Sequence, residues 1–143
     1  MTLRFSLYPT EFSNNLDSII SLIAIDKQTF SGTNILDISF DKGSATSNTK
    51  SMRACFFMDY EGTECFTTIE THPLLAWIDV MAQIVMVADN KSIVKLFIDG
   101  QLLLDTRVNI MPMEYQNVTL FAGHPWGYST YGWIHSPSIM QTG

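Results

Sequence analysis

Basic side chains are scarce in this sequence: Lys and Arg total eight against fourteen Asp and Glu, for a formal net charge of -6. They are also scattered, at Arg4, Lys27, Lys42, Lys50, Arg53, Lys91, Lys95 and Arg107. With no stripe of cations to neutralise a row of phosphates, nucleic acid is not expected as a partner, and heparin-like polyanions are disfavoured for the same reason. Charge of either sign is low, at 15% of residues, where about a quarter is usual. Long apolar runs are lacking too. A membrane helix needs about 20 apolar residues, and the longest stretch here, Ile78 to Ala88, is interrupted by Asp79 and Gln83, so membrane insertion is not expected. No leader pattern opens at Met1, where strand-like alternation begins at once.

The residues of familiar catalytic and metal sites are equally thin. No Gly-x-Ser-x-Gly elbow occurs, and Gly127-Tyr128-Ser129 does not make one. No glycine-rich phosphate loop follows a strand and opens a helix. With two cysteines and three isolated histidines, His72, His124 and His135, no metal-ligand spacing emerges. Calcium would be possible only if Asp99, Asp105 and Asn109 converged on a loop; otherwise no cofactor is expected. The acids Asp59, Glu61 and Glu64 straddle Gly62. A retaining glycosidase sets two carboxyl groups about 5–5.5 Å apart, whereas acids around a turn do not share one strand face, so these read as a solvated turn. No residue is assigned a catalytic role, and the chain is not expected to be an enzyme.

What the sequence does have is alternation. Leu3, Phe5 and Leu7 alternate with Arg4, Ser6 and Tyr8, and Leu36, Ile38 and Phe40 with Asp37, Ser39 and Asp41. Ile78, Val80, Ala82, Ile84 and Met86 share one face of a long strand, as do Val94, Leu96 and Ile98 of the next. Ile19 to Ile25 is continuous enough for a strand covered on both faces. Ala, Leu and Met would also allow a helix over Pro73 to Ala88, but Val80, Val85 and Val87 favour a strand. Turn residues punctuate these runs. The sharpest is Asp99-Gly100, suited to a type I′ turn that needs positive φ at both central residues. It should join Val94–Ile98 to Leu102–Asp105 as a tight hairpin. Many short strands at close spacing, with 46% hydrophobic residues to fill a core, indicate an all-β antiparallel sandwich over residues 1–143 as a single domain.

Three stretches then fall in a telling order: Leu3–Leu22, an alternating strand, a Pro-Thr and a Ser-Ile-Ile-Ser-Leu strand; Trp77–Leu104, a Trp opening a long strand before Lys-Leu-Phe-Ile-Asp-Gly-Gln-Leu-Leu; and Tyr115–Trp126, with Tyr-Gln-Asn-Val-Thr-Leu-Phe-Ala-Gly-His-Pro-Trp. This order resembles the concanavalin A-like lectin and laminin-G superfamily, and implies its jelly-roll β-sandwich. The chain is short for that family and runs out soon after Ile134 and Ile139, where a closing strand is expected. Some extracellular members also carry a cysteine pair where Cys55 and Cys65 fall. A hairpin of 51–58 with 63–70 would set these two face to face, within the roughly 4.4–6.8 Å between Cα atoms that a disulfide needs; two buried thiols are the alternative.

The aromatic segment suggests a binding surface. Trp126, Tyr128, Tyr131 and Trp133 lie among Gly123, Gly127 and Gly132, and aromatic faces suit sugar rings or flat protein partners. Trp126 and Trp133 are expected in the core, Tyr128 and Tyr131 at the surface. Asn90-Lys91-Ser92 and Asn117-Val118-Thr119 match the glycosylation acceptor. Together these features lead to an expected function: a non-catalytic extracellular or secreted module, structural or adhesive, that self-associates as a homo-oligomer or polymer. A lectin-like, glycan-binding domain is the alternative.

Overall fold

In the computed structural model, residues 1–13, 16–25, 32–42, 48–58, 62–88, 91–108, 118–123 and 130–140 are described, and every regular element among them is a strand. In chain order these are β1 (Thr2–Glu11), β2 (Asp17–Ile25), β3 (Gly32–Phe40), β4 (Thr49–Met58), β5 (Gly62–Pro73), β6 (Ile78–Ala88), β7 (Lys91–Ile98), β8 (Gln101–Val108), β9 (Val118–Ala122) and β10 (Tyr131–Met140). They form two antiparallel sheets. The first has the order β10-β1-β6-β7-β8 and the second β5-β4-β3-β2-β9.

The alternation in the sequence decides which way each strand faces. Leu3, Phe5 and Leu7 of β1, Ile78, Val80 and Ala82 of β6, and Val94, Leu96 and Ile98 of β7 point inward. They meet Leu22, Leu36, Ile38, Phe40, Met52, Ala54 and Phe56 of the second sheet in one buried cluster. Burying side chains of this size stabilises by roughly 1.5–3 kcal/mol each. No helix forms between Pro73 and Ala88: Pro73 ends β5, residues 74–76 bend, and β6 pairs with β1 over Ile78–Gln83 and with β7 over Val80–Ala88. The β7–β8 hairpin turns where the sequence places it, with Asp99 at φ 51° and Gly100 at φ 78°, both in the positive range of a type I′ turn.

One end of the core holds a charge that the sequence does not advertise. Lys50 is buried, with its Nζ 3.2 Å from Asp17 Oδ2 and 2.6 Å from the Ser13 carbonyl oxygen, and it lies over the Phe12 ring. The pair survives out of water because each partner satisfies the other and the backbone supplies a further acceptor. His72, opposite Lys50 in the β4–β5 ladder, is also buried, and its Nε2 has no hydrogen-bond partner among the described residues.

Cys55 and Cys65 pair directly across β4 and β5 and are bridged, with Cα atoms 4.1 Å apart. Of the acids around that hairpin, Glu64 is half-buried opposite Phe56, while Asp59 and Glu61 lie outside the described residues, as do Asn90, Asn109, Asn117, Trp126 and Tyr128.

Candidate functional site

Strand β1 is the axis of the site. Its outward side chains, Arg4, Ser6 and Tyr8, sit between β10 on one side and β6 on the other, and the ladders place their neighbours. Arg4 lies beside Ser138 and Met81, and Ser6 beside His135 and Asp79. Tyr8 lies beside Trp133, and its ring centroid is 5.3 Å from that of Trp77, which immediately precedes β6. The outer face of the first sheet thus carries three rows two residues apart: a basic row, a polar row and an aromatic row.

The basic and polar rows open into a cleft of about 410 Å³, lined by Arg4, Ser6, Asp79 and His135 among others. Asp79 is fixed from two sides. Ser6 Oγ donates a hydrogen bond to its carboxylate, and its backbone N–H donates to Asp99 Oδ1 at 2.9 Å. Arg4 is exposed, and its side chain has no hydrogen-bond or ion-pair partner among the described residues.

A bulge in β10 aims His135. Ser6 pairs with His135 and Arg4 with Ser138, so Ser136 and Pro137 together oppose Phe5 alone. Ser136 takes up the extra length at φ 49°, in the left-handed region that L-residues rarely adopt. Bulges of this kind turn a side chain away from its regular direction and gather at functional sites. A second irregularity sets the aromatic row. Gly132 has φ 150°, and a Cβ there would meet the Tyr8 carbonyl oxygen at 2.2 Å, so only glycine lets β10 approach β1 this closely.

One expectation about site residues changes here. Trp133 is not a core residue: it is 69% exposed, on the outer face beside Tyr8. Strand period is the reason. Ile134 turns inward and packs against the core, so its neighbour must turn out. Tyr131 is at the surface as expected, 60% exposed. Of the three residues considered for calcium, Asn109 lies outside the described residues, Asp99 sits in the hairpin turn and Asp105 stands opposite Lys95 farther along the hairpin. Among the described residues no cluster of His, Cys, Asp and Glu could hold a metal ion, and no helix is long and apolar enough to cross a membrane. The cleft residues Arg4, Ser6, Asp79 and His135 were beyond sequence reasoning, which could mark the first three only as the outward members of alternating strands.

No protein-family model and no curated protein matches this sequence. Solved structures do resemble its fold. A heptameric SAP-like pentraxin from Limulus polyphemus matches with a TM-score of 0.61 and 12% identity, over 95% of this chain and 61% of that one. A polysaccharide lyase of family 18 matches with a TM-score of 0.54 and 11% identity, over 86% and 51%. An alginate lyase from an Alteromonas species matches with a TM-score of 0.52 and 11% identity, over 85% and 50%. The chain therefore spans about half to three-fifths of the length of these proteins. At such identities the likeness is one of fold, and the fold is the concanavalin A-like jelly-roll β-sandwich that the sequence resemblance implied.

The likeness corrects the expected function. A non-catalytic, self-associating structural module, with a lectin-like domain as its alternative, does not stand when two of the similar sandwiches are polysaccharide lyases. The expectation rested in part on the lack of a contiguous catalytic motif. On this fold, chemistry-bearing side chains come from strands far apart in sequence, and a local pattern cannot report them.

Proposed function

We propose that this chain cleaves an acidic polysaccharide at the cleft on the outer face of the first sheet, by elimination beside a uronate carboxylate. The observation that carries the proposal is the convergence of Arg4, Ser6, Asp79 and His135, from three strands, on one open cleft. Elimination needs a cation over the carboxylate and a group that can move a proton. The unpartnered Arg4 guanidinium has the planar fork that matches a carboxylate, and it would stabilise the charge that builds there as the neighbouring C–H bond breaks. The His135 imidazole takes that proton. The C–H electron pair becomes the new carbon–carbon double bond, the glycosidic C–O bond breaks, and His135 returns the proton to the departing oxygen. Asp79, held by Ser6 and Asp99, offers acceptors to sugar hydroxyls. Two proteins of similar fold are a polysaccharide lyase and an alginate lyase, which supports the chemistry as one this sandwich can host. The Cys55–Cys65 bridge supports a place outside the cell, since such bonds persist in oxidising compartments.

The test uses alginate and pectate as probes, with calcium and with chelator. Ultraviolet absorbance follows the unsaturated uronate end, and retardation in polymer-containing gels follows binding. Wild type should give both signals, Arg4→Ala neither, and His135→Ala retardation without product. Wild type that releases no unsaturated ends from either polymer overturns the proposal.

A further inference from the structure

We infer that Trp133, Tyr8 and Trp77 form a sugar-ring shelf continuing the cleft, so that the site takes an oligosaccharide laid along β1 and not a single sugar; this rests on the reading of the cleft just given. The three side chains stand in one row across β10, β1 and the start of β6, and two strand spacings make that row about 10 Å wide. Trp133 is 69% and Trp77 56% exposed. On either side of Tyr8, the two indoles leave an apolar patch that solvent alone does not account for.

Continuity with the cleft identifies the occupant. His135 lines the cleft, and its ring also lies 6.3 Å from that of Trp77, so no polar gap separates the two. Tyr8 and Arg4 are four residues apart on one strand, about 13 Å along an extended backbone. A ligand touching both ends must present an apolar ring face to the shelf, hydroxyls to the Ser6–Asp79–His135 row and an acid to Arg4. A pyranose chain has these surfaces, with C–H faces and a polar rim.

The experiment compares Trp133→Ala and Trp77→Ala with wild type on the cleaved polymer and on its short fragments, after thermal melts confirm that each variant is folded. The shelf variants should raise KM for the polymer on the order of tenfold, as the loss of an interface aromatic does. They should leave turnover of the shortest cleaved fragment unchanged, and Trp133→Phe should recover most of the loss. Shelf variants that match wild type on the polymer, or that lose short and long substrates equally, overturn the shelf while the cleft stands. If wild type cleaves and binds nothing, the cleft reading fails and takes the shelf with it.

Discussion

The two sheets use their outer faces in opposite ways. On the second sheet, Ser18, Ser21, Ser39 and Cys55 are outward in register yet buried. Asp37 collects the Ser18 and Ser21 hydroxyls at 3.1 and 2.8 Å, and beside it the Cys55–Cys65 bridge spans β4 and β5. On the first sheet, the outward row leaves Arg4, Asp79, His135, Trp77 and Trp133 exposed. Polar groups that find one another out of water hold a fold together. Polar and aromatic groups left unsatisfied at a surface are available to something else. The contrast assigns stability to the outer face of the second sheet and recognition to that of the first.

Breaking the bridge tests the first half most severely. Its closed loop is short, with the cysteines ten positions apart, and for such a loop the expected loss is about 2–3 kcal/mol. Urea unfolding of the Cys55→Ser/Cys65→Ser double variant should show it as a lower midpoint, and an unchanged midpoint would remove the bridge from the account. Asp37→Ala follows, at about 2 kcal/mol, because it strands two buried hydroxyls that now share a carboxylate. The same unfolding measurement reads it, and a loss below half a kilocalorie, on the order of an ordinary surface change, would contradict the assignment.

A smaller effect tests the edge of the second sheet. Burial pushes His72 below the usual histidine value of 6.5, with Asp99 and Glu70 pulling back in part. The folded chain therefore takes up this proton less readily than the unfolded chain. The contribution to stability is whole above pH 6.5, falls as pH drops below that value, and levels off once the lowered folded-state value is passed. Thermal melts across mildly acid pH should show this slope in wild type and a flatter one in His72→Gln; equal slopes would mean that His72 is not the group responsible. The smallest effect belongs to the first sheet. Arg4→Ala should change unfolding stability by no more than about 0.5 kcal/mol while it abolishes retardation by polymer. A large destabilisation would show that the open face is structural after all.

Much of this architecture could be read in advance, for identifiable reasons. Side-chain period two is a local property, so β1, β6 and β7 show their inward faces in the sequence itself. Asp99-Gly100 announces its hairpin because few residue pairs tolerate positive φ twice in succession. The Cys55–Cys65 bridge was one of two readings the sequence left open, and the β4–β5 register decides for it. Trp133 was misplaced because its setting is decided by register with β1 and by the bend at Ser136, and neither shows in a window of neighbouring residues. The cleft was illegible for the same reason in stronger form. Arg4 and Ser6, Asp79, and His135 belong to three separate stretches, and only the strand order β10-β1-β6 brings them together.

That strand order has a kinetic consequence. β6, β7 and β8 are joined by short connections, so most of the first sheet can form from nearby chain. Strand β1, however, is flanked on one side by β10, whose pairing with it closes a loop of nearly the whole chain, from Thr2 to Met140. Contacts of that separation form late, since the entropy of closing the loop must be overcome before they return anything, and sandwiches of such topology fold in milliseconds to seconds. His135 and Trp133 arrive with β10. A molecule that has consolidated its core but not yet docked this strand would therefore be folded by most spectroscopic measures and still lack a complete cleft, so the proposed polymer binding should return on refolding later than the structure does.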